Sequence, residues 1–231
     1  MTFDLQTQAP VEAIIFDMDG LLLDSESLAM DALVSAGIAL GYDMPRAFCY
    51  QMIGAPADKC HRLTQEAYGF DFPLQEYFAT QEQHLRDLVD AGKLRLKTGA
   101  LALLDELDRQ GIACAIATSS SRTRTDHHLA LAGIAGRFAH IVTRDDVTRG
   151  KPNPDPYLKA ASILGVMPAA CLALEDSYNG VRAAHAAGIR VIMVPDLLPP
   201  TPEMHEKAAH IVETLDDIRV LFHSLKPNVA A

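Results

Sequence analysis

Two carboxylates stand two positions apart where an apolar run ends: in AIIFDMDG, Asp17 and Asp19 follow Ala13–Phe16. On an extended strand residues two apart point to the same side, so both acids can approach one small site where the strand stops. One carboxylate can act as a nucleophile. Its neighbour can serve as general acid and then as general base. Two like charges this close favour protonation of one of them unless a cation intervenes. Gly20 lets the backbone come close to a ligand. A DxDG motif also opens calcium loops, but those need an oxygen ligand at the fifth position and Gly at the sixth, where this chain has Leu21 and Leu22. An exposed turn is the bland alternative for the motif taken alone.

Three further segments carry groups of matching chemistry. Glu175 and Asp176 close the run CLALED, and adjacent acids at a strand end can complete an oxygen shell for Mg²⁺. Alone, Asp176 or Ser177 reads equally well as a cap of the helix that follows. Thr118 ends the run GIACAIAT and is followed by Ser119, Ser120 and Ser121. Hydroxyls and backbone N–H groups at a helix start suit phosphate oxygens, although an N-cap is the simpler reading of this motif by itself. Lys151 lies between Gly150 and Pro152 in RGKPNPDPY, a segment that resists regular structure. A loop lysine is ordinarily solvated. Held beside four acids, its cation could balance charge and bind phosphate.

These groups need elements that aim them at one place. Apolar runs occur at Val11–Phe16, 111–121, 171–180, 189–195 and 210–214, without the alternation of a half-exposed strand. Amphipathic segments at 100–111, 156–165 and 177–188 end in or near Gly, a helix stop. The pattern predicts an α/β fold, a mostly parallel Rossmann-like sheet with helices on both faces. In such sheets ligands sit beyond the carboxyl ends of the strands, where the DMD, TSSS and ED segments all fall. Residues 25–90 are helix-rich and lack a buried strand, which predicts a small all-helical domain inserted after the first strand. The expected division is 1–23 with 94–231 as the core and 24–93 as the insert, with hinges near Leu23–Glu26 and Lys93–Thr98. The aromatics Phe48, Tyr50, Phe70, Phe72, Tyr77 and Phe78, with Met44 and Met52, read as the insert's own core. His127–His128 reads as a helix face, and His61, His84, His205 and His210 lack metal-ligand spacing. The tail LKPNVAA reads as frayed.

Composition bounds the class. The chain has 231 residues, 49% apolar and 22% charged, as expected of a soluble globular protein. A net charge of −10 argues against nucleic acid or an anionic membrane surface as partner. No apolar run approaches the ~18 residues needed to span a bilayer. The first residues, MTFDLQTQAP, lack the basic start and apolar stretch of a signal peptide, so a cytoplasmic location is expected. Cys49, Cys60, Cys114 and Cys171 are scattered and read as free thiols, the last two as small core residues. A serine in GxSxG, a GxxxxGK[ST] loop and a GxGxxG turn are all missing.

The ordered set DMDG, ATS, GKPNPDPY and LEDSYNGVRAA resembles the haloacid dehalogenase-like hydrolase superfamily, and the match spans essentially the whole chain. The helical insert between the first two motifs looks like that family's cap domain. The branch it resembles is that of beta-phosphoglucomutase and the sugar-phosphate phosphatases. The resemblance implies Asp17 as phosphoryl-accepting nucleophile and Mg²⁺ ligand. It implies Asp19 as general acid/base, with its backbone carbonyl on the metal. Thr118, helped by Ser119 and Gly20, would bind the phosphoryl group, and Lys151 would steady nucleophile and phosphate. Asp176 and Glu175 would hold Mg²⁺. The presence of Asp19 favours phosphate esters over haloacids, whose leaving group needs no proton. Mutase caps carry a His where this chain has Ala29 and an Arg where it has Ala57, with Lys59 nearby, so the resemblance favours a phosphatase over a mutase. The expectation is a Mg²⁺-dependent phosphatase of a small phosphorylated metabolite, acting through an aspartyl-phosphate, as monomer or weak homodimer. The cap would close over the site and set specificity. A phosphomutase and a non-catalytic binding protein on the same fold are the alternatives.

Overall fold

The apolar run before Asp17 becomes the central strand of a sheet and is buried at every position. A computed structural model describes residues 10–224 other than 54 and 56. In chain order it begins with strand β1 (Ala13–Phe16), then helices α1 (Ser25–Ala39), α2 (Arg46–Cys49), α3 (Ala57–Tyr68) and α4 (Leu74–Asp90). Next come α5 (Ala100–Gln110), β2 (Ala113–Ala117), α6 (Arg122–Leu131), β3 (His140–Val142) and α7 (Asp155–Leu164). The chain continues through β4 (Cys171–Glu175), α8 (Tyr178–Ala186), β5 (Arg190–Met193), α9 (Pro202–Lys207), β6 (His210–Ile211) and α10 (Leu215–Ser224). The tail read as frayed, 225–231, lies outside the described residues.

The chain divides into two compact units, Met1–Leu23 with Leu96–Ala231, and Asp24–Arg95. The first holds a six-stranded sheet in the order β3-β2-β1-β4-β5-β6, with every pair parallel. This is the predicted α/β class, since parallel neighbours need crossovers and the crossovers here are largely helical. In register, Phe16 sits opposite Ile116 of β2 and Leu174 of β4. The chain order reverses direction across β1, and such a switch point opens a crevice at the strands' carboxyl ends. Small side chains on the sheet, Ala13, Ala115, Ala117 and Ala173, let Tyr157 and Ala160 of α7 and Val181 and Ala184 of α8 join them in one buried cluster. Phe16 meets Phe138 edge to face at 5.8 Å.

One strand escaped the sequence reading. β3 has three residues, of which only Val142 is buried, too short and too wet for a recognisable apolar run. The run 171–180 also divides: β4 stops at Glu175 and α8 begins at Tyr178, with Ser177 as N-cap accepting from the Gly180 N–H. Cys114 is half-buried rather than a core residue, whereas Cys171 is buried.

The second unit is helical, with α1 packed along α4. Tyr77 is fully buried, donates its hydroxyl to the Leu33 carbonyl at 3.0 Å, and packs edge to face on Phe72 at 5.2 Å. Tyr42, Phe48 and Tyr68 extend that aromatic cluster. Met44 and Met52 are buried as expected, but Tyr50 and Phe70 are exposed, Phe70 by 88%. No helix among the described residues is long and apolar enough to cross a membrane.

Candidate active site

Three adjacent strands deliver the predicted groups to one edge. Asp17 follows the last residue of β1, Thr118 follows the last residue of β2, and Glu175 ends β4 with Asp176 next. The Asp17 N–H still donates to the Leu174 carbonyl, so the sheet's ladder fixes the backbone of the first acid against β4. Immediately afterwards the chain turns. The Leu22 and Leu23 N–H groups bond back to the Met18 carbonyl, and Gly20 donates to the Leu23 carbonyl at φ 82°, a left-handed conformation that favours glycine. The turn defines a local role for Gly20 in addition to its expected closeness to a ligand.

Lys151 is not solvated. It reaches from the loop ahead of α7 into the core with its side chain 3% exposed, and its Nζ donates to Asp17 Oδ1 and to Glu175 Oε1, each at 2.5 Å. The ammonium also lies 5.1 Å from the centre of the Tyr157 ring. Glu175 is 0% exposed and accepts from every side: Oε1 also takes the Tyr157 hydroxyl at 2.7 Å, and Oε2 takes the Ser177 N–H and hydroxyl at 3.2 and 3.0 Å. Gly180 makes room for it. A Cβ at that position would fall 1.7 Å from Glu175 Oε1.

Asp17, Glu175 and Asp176 each place a carboxylate oxygen within 4.8 Å of the others. Three carboxylates against one ammonium leave two negative charges if all are ionised. Burial accordingly pushes the Asp17 carboxyl up to about 8, against the pull of Lys151 and with further upward pushes from Glu175 and Asp19. Desolvation pulls Lys151 down, but attraction to Asp17 and Glu175 outweighs it and holds the ammonium above its ordinary value. A set of hard oxygen donors with surplus negative charge fits Mg²⁺ better than a softer metal.

Asp19 faces elsewhere. Its Oδ2 accepts from the Ser120 hydroxyl at 2.6 Å, and its Oδ1 lies 3.5 Å from Arg124 Nη2 and 3.9 Å from His128 Nδ1. The extended geometry that would have aimed Asp17 and Asp19 together stops at Phe16, so the two carboxylates take different partners. The carboxylate of Asp19 is also not among the three that converge; the resemblance assigned its carbonyl, not its side chain, to the metal. Thr118 is buried, its Oγ1 accepts from the Ser120 N–H at 3.0 Å, and its own N–H bonds to the Val142 carbonyl. Ser119 is exposed beside it.

Residues that the motifs did not single out complete the picture: Ser120, Arg124 and His128 around Asp19, and Tyr157, Ser177 and Gly180 around Glu175. Tyr157, Ser177 and Gly180 lie inside quoted motifs, so proximity in sequence to Lys151 and Glu175 was the available signal. Arg124 and His128 offered only their four-residue spacing on a helix that starts at a motif.

Comparison with known proteins shows the family. A family profile described as haloacid dehalogenase-like hydrolase matches residues 14–194. YhcW of Bacillus subtilis (strain 168) is 33% identical over 211 residues, 91% of this chain and 94% of that one. The bifunctional riboflavin kinase/FMN phosphatase of Arabidopsis thaliana is 30% identical over 93% of this chain and 56% of its own length. CbbY from Rhodobacter sphaeroides, solved in complex with phosphate, superposes with a TM-score of 0.77 at 28% identity, covering 90% of this chain and 96% of that one. A point mutant of the same protein was solved with xylulose-(1,5)bisphosphate, with a TM-score of 0.76 and 28% identity over 89% of this chain and 95% of that one. With its sheet inside the matched span but for Ala13 of β1 and the short β6, and with the motif residues gathered at one sheet edge, this chain belongs to the haloacid dehalogenase-like hydrolases.

Proposed function

We propose that the protein is a Mg²⁺-dependent phosphatase that hydrolyses a small phosphorylated metabolite, a sugar phosphate, through a phosphorylated Asp17. The observation that carries the reading is the buried Lys151 ammonium bridging Asp17 and Glu175 beside Asp176 at the switch point of the sheet. Relatives that act on FMN, or that were solved with phosphate or a sugar bisphosphate, support the substrate class.

In this reading an oxygen of the Asp17 carboxylate attacks phosphorus and the bond to the ester oxygen breaks. Asp19 gives its proton to the departing alkoxide, which would otherwise be a poor leaving group. Water then attacks the aspartyl-phosphate and passes a proton to Asp19, which is thereby protonated again, and the bond between the Asp17 oxygen and phosphorus breaks to release phosphate. Lys151 fixes the attacking carboxylate and offsets charge as the dianion arrives. The Thr118 hydroxyl and the backbone beside it, with Ser119 and Gly20, bind phosphoryl oxygens. Asp17, Asp176, Glu175 and the Asp19 carbonyl would hold Mg²⁺, which supplies positive charge against phosphoryl oxygens when bound. The division into a core of 1–23 with 94–231 and a helical cap of 24–93 belongs to the same proposal, which assigns choice of substrate to the cap. The protein is read as cytoplasmic, and as monomer or weak homodimer.

The test is release of inorganic phosphate from p-nitrophenyl phosphate and from a panel of sugar phosphates, with Mg²⁺ and with EDTA. Asp17→Asn is expected to lower kcat by roughly a thousandfold or more with its circular dichroism unchanged. Wild-type turnover by Asp17→Asn in EDTA would remove the mechanism. Isomerisation of a sugar phosphate that needs a bisphosphate activator and releases little phosphate would move the reading to a mutase.

A further inference from the structure

We infer that Arg124 and His128, with Ser120, are positioning residues that hold the Asp19 carboxyl for proton transfer; this rests on the reading of Asp19 as general acid/base. Lys151 is committed to Asp17 and Glu175, so it does not orient Asp19. Three groups close to Asp19 come from α6 and its approach. Ser120 supplies a hydroxyl at 2.6 Å to one oxygen, and Arg124 and His128 face the other at 3.5 and 3.9 Å.

The helix is built to present them. Ser121 caps it, accepting from the Arg124 N–H, and Thr125 is fully buried and bonds back to the Ser121 carbonyl. That fixes the helix's rotation. Arg124 and His128 are four residues apart, one above the other on the same face. His128 is buried, its side chain 4% exposed, whereas its neighbour His127 is exposed. A buried imidazole normally has a polar reason to be there. The second carboxyl of the DMDG motif, 3.9 Å from Nδ1, is one polar group that this ring faces. A carboxyl that must donate a proton in one step and accept one in the next gains from being held within a few tenths of an ångström of its working position. The Arg124 guanidinium on one oxygen and the Ser120 hydroxyl on the other restrict its rotation, with the His128 ring limiting the space beside them.

Leaving-group chemistry isolates this role. The phenolate of p-nitrophenyl phosphate departs without a proton, whereas the alkoxide of a sugar phosphate needs one. The readout is the ratio of kcat/KM for the best sugar phosphate of the panel to kcat/KM for p-nitrophenyl phosphate, which excludes the hydrolysis step common to both substrates, with Asp19→Ala as reference. Arg124→Met and His128→Asn are each expected to lower that ratio by about tenfold, a fraction of the ~10²–10⁴ that general acid–base catalysis contributes. Arg124→Lys should recover part of the loss. Adding Arg124→Met to Asp19→Ala should lower the ratio no further, since a residue acting through Asp19 has nothing left to act on. If the variants lower kcat/KM for both substrates in proportion, or if Arg124→Met lowers the ratio as much in the Asp19→Ala background as in the wild type, the proposal fails and the Asp17 mechanism stands. If Asp19→Ala leaves the ratio unchanged, the acid/base reading fails and carries this inference with it. Should His128→Asn not fold, the part-exposed Arg124 variants decide the matter alone.

Discussion

Removing the Tyr157 hydroxyl takes one of four hydrogen bonds from the Glu175 carboxylate. Leaving a buried acceptor short of a donor costs about 1–3 kcal/mol. Tyr157→Phe is therefore expected to lower unfolding free energy by that amount in urea titration, and to lower kcat because the same carboxylate fixes Lys151. Unchanged stability would mean that Lys151 and Ser177 alone satisfy Glu175. At this scale the sequence was informative about residue type and weak about partners. Asp17, Lys151, Glu175 and Asp176 were legible because their motifs lie at element ends, where chemistry is aimed. The burial of Lys151 was not legible, because Gly and Pro neighbours describe a loop and say nothing of what lies beneath it. The partners of Asp19 were hidden for another reason: Ser120 and Arg124 lie more than a hundred positions along the chain.

The start of α8 does two jobs at once. Ser177 caps the helix and donates its hydroxyl to Glu175, while Gly180, one turn in, leaves the space that the carboxylate fills. Gly180→Ala is ordinarily favourable inside a helix by about 1 kcal/mol. Here the added methyl must displace Glu175 or push α8 off the sheet. Overpacking of this kind costs about 1–3 kcal/mol, and a misplaced carboxylate of this network should lower kcat by about tenfold or more. Thermal unfolding and steady-state kinetics on the same sample check both numbers, and a stabilised, fully active variant would show that Glu175 can be accommodated elsewhere. The elements themselves were legible where burial was complete. β1, β4 and β5 announce themselves as apolar runs, whereas β3 at the sheet edge keeps two of its three residues partly wet. The helical character of 25–90 was readable from its spacing, but not which of its aromatics turn inward, since Phe70 and Phe72 differ only by where the short link between α3 and α4 bends.

Across the whole molecule, acid stability depends on carboxylates that fold into fixed partners. Hydrogen bonds from the Thr143 N–H and hydroxyl hold the Asp146 carboxyl below its usual range, with Arg122 and Lys159 adding to the effect. A depressed folded value stabilises the fold above the unfolded value, about 3.8, and the benefit disappears as pH falls through the folded one. Asp146→Asn should thus lower Tm at neutral pH, with the gap to wild type closing below pH 3.8; a gap independent of pH would assign the loss to packing. The placement of β1 has a consequence for synthesis. Its two neighbours pair with it from a hundred and 158 positions downstream, Ala13 lying opposite Ala113 and Cys171. Such distant pairings repay loop-closure entropy late and slow the search for the native state. As the chain leaves the ribosome, this strand waits with both edges bare until β2 emerges, and with one edge bare until β4 follows. Over that interval the apolar segment that leads into Asp17 has unpaired backbone and exposed side chains, a state that chaperones shield.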